Sequence, residues 1–143
     1  MKKRSLVLLL LLIGLFLLSS CATGPAFKKI ETIPENMGLV YIYRPGKAMG
    51  AAVSYQVKAN GVPITRLNPG GYYAYLAKPG EIEFSAKTES TSSITIDIKP
   101  GETYYLKGTV GIGFFVGRPH LVVVTPEVGE KEIVKCKLLE EKK

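Results

Sequence analysis

Two thiols, Cys21 and Cys136, and one imidazole, His120, are the side chains here best suited to nucleophilic or metal chemistry. Each needs partners: a metal centre takes three or four ligands, and a nucleophile takes a base and a group that orients it. His120 is the only histidine, follows Pro119, and has no such partners near it in sequence. It reads as a surface or strand-end residue. Cys136 occupies an apolar position in the alternation Val134, Cys136, Leu138 and reads as a small buried hydrophobe. Glu81 and Glu83 lie two apart on one strand face, whereas glycoside hydrolysis needs two carboxylates across a bond, one with a raised pKa. Residues 111–117 (Gly-Ile-Gly-Phe-Phe-Val-Gly) have the glycines of a phosphate loop but lack its Lys-Ser/Thr and the following helix. No catalytic residue, metal site or cofactor is assigned, and the chain is read as a non-enzyme.

Cys21 differs because its surroundings supply a chemistry. Lys2, Lys3 and Arg4 form a positive start, and residues 5–18 are uncharged and nearly all Leu, Val, Ile and Phe. That run is shorter than the roughly 20 residues of a membrane-spanning helix and suits a signal peptide. Leu18-Ser19-Ser20-Cys21 then resembles a lipobox, an aliphatic residue and two small ones before a cysteine. The resemblance implies a diacylglycerol thioether on Cys21, cleavage between Ser20 and Cys21, and an N-acyl chain on the new amine. One acyl chain binds a membrane marginally and two or three bind stably, at about 0.8 kcal/mol per buried CH₂. Ala22 rather than Asp follows the cysteine, which by the enteric sorting pattern implies the periplasmic face of the outer membrane. Acylation of Cys21 leaves Cys136 a lone thiol, whereas without it a Cys21–Cys136 disulfide is open.

The rest must position whatever the anchor carries. Removing residues 1–20 leaves 123, enough for one core without disulfides. The formal charge of +7 drops to +4 with the loss of Lys2, Lys3 and Arg4, and no basic run remains to bind nucleic acid. Residues 21–37 read as a lipidated terminus and tether lifting a domain, residues 38–143, off the bilayer. From Gly38 the apolar pattern has period two, punctuated by Asn60-Gly61, Asn68-Pro69-Gly70-Gly71, Pro79-Gly80 and Pro100-Gly101. Eight or nine short strands follow, which implies an all-β antiparallel sandwich or barrel, with the sandwich expected. Leu39–Tyr43 reads as a central strand, and Pro63 marks an edge. Thr125-Pro126-Glu127 predicts one short C-terminal helix near 126–132, followed by a strand. Lys78-Pro79-Gly80-Glu81 recurs as Lys99-Pro100-Gly101-Glu102, one turn solution used twice.

Two surfaces are candidates for binding. Tyr41, Tyr43, Tyr73, Tyr75 and Tyr105 can line a groove for glycan or peptide, although aromatics are also favoured in strands and cores. Phe114 and Phe115 either fold back on the core or form an exposed apolar tip for a protein partner or lipid. Arg44 and Lys47 are read as solvated loop residues, with anionic headgroup binding the other use of their charge.

Residues 40–45 (Val-Tyr-Ile-Tyr-Arg-Pro), Asn60-Gly61, Gly71-Tyr72-Tyr73, Pro79-Gly80 and residues 101–106 (Gly-Glu-Thr-Tyr-Tyr-Leu) together resemble a bacterial family, domain of unknown function 2846, over roughly residues 37–139. The resemblance implies a β-sandwich-like domain at the cell envelope, in a family rich in lipoproteins, with no catalytic residues to carry over. The expected protein is a membrane-anchored envelope lipoprotein, structural or partner-binding, whose partners are the membrane and an envelope protein or glycan.

Overall fold

The computed structural model describes residues 22–46 and 50–140. Residues 1–20, read above as a leader, and Cys21 and Lys47 lie outside them. Among the described residues, nine strands and one helix follow in order: β1 (Gly38–Arg44), β2 (Tyr55–Ala59), β3 (Val62–Leu67), β4 (Gly71–Ala77), β5 (Gly80–Lys87), β6 (Thr91–Ile98), β7 (Thr103–Gly111), β8 (Arg118–Val124), α1 (Pro126–Ile133) and β9 (Lys137–Leu138). They form two sheets, β8-β7-β1-β4-β9 and β3-β2-β5-β6, so the β-rich sandwich with a short C-terminal helix is what the chain adopts.

β1 is central, as its uninterrupted apolar run requires, and every one of its residues is buried. β3, with Pro63, lies at an edge of the second sheet, where a missing N–H costs no ladder bond. Asn60 and Gly61 both have positive φ, which closes the β2–β3 hairpin. The two Lys-Pro-Gly-Glu segments share a task beyond turning. Each carries the chain between sheets, the first from β4 to β5 and the second from β6 to β7.

Two details depart from the sequence reading. Most pairings are antiparallel, but β1–β7 and β4–β9 are parallel. Period-two patterning selects a buried face and is silent on a neighbour's direction. The last strand shrinks to Lys137–Leu138, because Val134–Lys135 turn out of the helix and Cys136 seats against the sheet.

The core has two layers. Val40, Ile42, Val57, Leu67, Phe84, Ile98 and Leu106 fill the space between the sheets. A second cluster, Leu39, Tyr41, Tyr43, Tyr72, Tyr105, Ile133 and Cys136, lies on the outer face of the five-stranded sheet. Its cover is α1 together with Phe27, Ile30 and Ile33. Residues 22–37 are therefore no free tether. Ala26 bridges to Lys137, the Phe27 N–H donates to the Cys136 carbonyl, and the Leu138 N–H donates to the Pro25 carbonyl. The polar composition that suggested a linker concealed three apolar side chains, Phe27, Ile30 and Ile33, spaced to reach one sheet face.

Candidate functional site

The tyrosines expected to form a ligand face are split. Tyr73 and Tyr75 pack toward the inter-sheet core, while Tyr41, Tyr43 and Tyr105 are buried on the opposite face of the sheet. The groove exists, but the chain fills it itself. Phe27 stacks edge-on against Tyr41 and Tyr72, with ring centroids 5.4 and 5.0 Å away. The Ile30 N–H donates to the Tyr41 hydroxyl at 2.7 Å, and the Lys28 N–H to that of Tyr72 at 3.4 Å. From the helix side, Glu132 accepts from the Tyr43 hydroxyl at 2.6 Å and pairs with Lys107 Nζ at 2.6 Å. Burial first, then the Glu132 bond, raises the pKa of Tyr43, and burial pushes Tyr105 up to about 12. These phenols stay neutral and act as hydrogen-bonding core. Gly129 permits the helix to sit this close, since a Cβ there would run into the Tyr105 ring.

Cys136 is buried beneath the same cover, and desolvation, aided by the nearby Glu132 charge, pushes its thiol up to about 11. Such a thiol is protonated and unreactive at neutral pH. His120 is exposed on β8 opposite Thr109. Glu81 and Glu83 are exposed on β5.

What the fold does gather is one end of the sandwich, here called the rim. β1 and β7 both finish there, and Gly71 of β4 pairs with Arg44 of β1. The β3–β4 turn also lies there, and its Pro69 carbonyl accepts the Ala22 N–H at 3.2 Å. The docked segment thus starts at the rim and runs down the sheet to β1. Across the rim the β7–β8 loop projects. Ile112, Phe114 and Phe115 are 84%, 82% and 88% exposed, so the two phenylalanines form a tip and do not return to the core. Their rings pack edge to face at 4.7 Å.

The tip is braced from below by Glu89 in the β5–β6 loop. Its carboxylate accepts the N–H groups of Phe114, Phe115 and Val116 at 2.6, 3.0 and 3.3 Å and pairs with Arg118 Nε at 3.3 Å. The Phe115 and Phe114 N–H bonds, with smaller help from Val116 and Arg118, draw its pKa down to about 2. Gly113 is obligatory, because a Cβ would collide with the Val116 carbonyl and the Glu89 carboxylate. A carboxylate in a polar loop 25 residues upstream carries no local signal of this duty. Glu89→Ala should release the tip, lowering amide-exchange protection at Phe114–Val116 to loop levels while β1 and β7 keep theirs. A depressed carboxyl pKa means the brace is fully present above about pH 4.5 and is lost as pH falls through about 2. Wild-type protection at those amides should follow that window.

Arg44 is neither solvated nor in a loop. It is the last residue of β1, 3% exposed, and its guanidinium donates to the Val53 carbonyl at 2.5 Å and to the Gly50 carbonyl at 2.6 Å, above the Tyr55 ring. It holds the β1–β2 loop to the rim. Beside it, Pro45, Gly46, Gly70, Val128, Lys131 and Lys135 line an open cleft of about 730 Å³.

No curated protein and no solved structure matches the chain. Residues 34–118 match a protein family. They include the tyrosine floor, Arg44, Glu89 and the tip, while Phe27, Ile30 and Ile33 of the docked segment and α1 lie outside them. That match spans more than half of the chain, which therefore belongs to the family described as protein of unknown function (DUF2846).

Proposed function

We propose that this is a lipid-anchored lipoprotein of the cell envelope, on the periplasmic face of the outer membrane, whose β domain does non-catalytic work as a structural or partner-binding element. The observation that supports this best is the place of Ala22. The lipobox-like run ends at Cys21, and the next residue, Ala22, is docked on the rim. A domain so joined to an acylated cysteine stands directly on the bilayer. The ionisable groups that meet in space favour a non-catalytic reading. Glu132 fixes Tyr43 and Lys107, Glu89 fixes the tip, and the Cys136 thiol is buried and protonated.

The test is palmitate labelling of cells making the chain with its own leader. Wild type should take label and fractionate with membranes. Cys21→Ser should lose the label. A native protein found by mass spectrometry as bare polypeptide starting beyond residue 21 would overturn the proposal.

A further inference from the structure

We propose that the β7–β8 loop is a second membrane contact, with Phe114 and Phe115 entering the headgroup–acyl boundary of the leaflet that holds the lipid on Cys21. This rests on the lipoprotein reading above. Three observations carry it.

The first is placement. The tip and Ala22 share the rim, at opposite sides of one sheet, β7–β8 against β4–β9. At ~4.8 Å per strand, the strands that carry them are on the order of 10–20 Å apart across the sheet. A lipid leaving the chain next to Ala22 therefore brings the tip to the same surface. The second is composition. Residues 109–117 contain no charged side chain, and Ile112, Phe114, Phe115 and Val116 present a contiguous apolar end. Aromatic and aliphatic residues of this kind settle 5–10 Å into the interface of a bilayer. The third is hydrogen bonding. Backbone N–H groups that enter lipid unpaired are costly. Here Glu89 already satisfies those of Phe114, Phe115 and Val116, and Arg118 offsets its charge. The loop is preformed for a water-poor surface.

Two contacts fix what one cannot. A single lipid leaves a domain free to tip and spin. The anchor and the tip together hold the rim against the bilayer and turn the opposite end, with its Lys-Pro-Gly-Glu turns, toward the aqueous space.

Phe115→Trp supplies a reporter, since the chain has no tryptophan and the site is solvent-exposed. The full chain, made with its own leader and purified in detergent, is reconstituted into phosphatidylethanolamine–phosphatidylglycerol vesicles containing brominated acyl chains. The indole emission should shift to the blue and be quenched severalfold relative to unbrominated vesicles. Protein that stays with the vesicles while its indole emits as in water overturns the tip contact and leaves the anchor intact. If mass spectrometry finds Cys21 unmodified, the anchor reading fails separately. The same indole is then read on protein added from solution: quenching keeps the tip contact and its absence overturns it.

Discussion

Arg44→Met is expected to cost about 2 kcal/mol of folding stability and to free the β1–β2 loop. Methionine keeps the apolar stem packed against Tyr55, so the loss is that of the two donors. The part-buried Val53 carbonyl then loses its guanidinium donor, at about 1–3 kcal/mol for an unsatisfied group, while the Gly50 carbonyl keeps the Val53 N–H. Arg44→Lys should recover only part of this, because a compact ammonium does not reproduce the planar fork that sets one nitrogen on each carbonyl. Urea unfolding reads the cost, and hydrogen exchange at Val53 reads the loop. A change below about 0.5 kcal/mol, the scale of ordinary surface substitutions, would assign the loop's hold on the rim to something else.

Arg44 also shows where sequence patterning stops. Its neighbours Pro45 and Gly46 announce a turn, and an arginine before a turn is ordinarily solvated. Only the fold reveals that the loop doubles back, placing two carbonyls within 2.6 Å of the guanidinium. The strands themselves were legible, because alternation and Asn60-Gly61 or Pro-Gly punctuation are local signals. So was the exposure problem at Phe114 and Phe115, as a choice between core and tip. Long-range facts decided the rest. Glu89 meets its three N–H partners 25 to 27 residues away, and Cys136 meets the Arg44 carbonyl 92 residues away. The tyrosines misled for a related reason. Seven of eight lie on strands of the first sheet, but period two places neighbours such as Tyr72 and Tyr73 on opposite faces. The partner for the outer face was the polar-looking stretch read as linker.

Phe27→Ala is the sharpest measure of that stretch. Phe27 is half-buried and holds edge contacts with Tyr41 and Tyr72, so truncation should destabilise the domain by about 2 kcal/mol. Adding Ile30→Ala should roughly double the loss and open the tyrosine floor, seen as dye binding to apolar surface. A free tether predicts neither, since substitutions in a solvated linker stay within about 0.5 kcal/mol. The effect reaches beyond stability. Residues 22–37, released and extended, span on the order of 50 Å. Docked, the same residues are used up along the sheet, and Ala22 stays at the rim. In the reconstituted vesicles, Phe27→Ala combined with Ile30→Ala should therefore leave the protein anchored yet withdraw the Phe115→Trp indole from brominated lipid. If the indole stayed quenched with the segment undocked, the tip would be holding the membrane by itself, and the docked segment would be cover for the tyrosines alone.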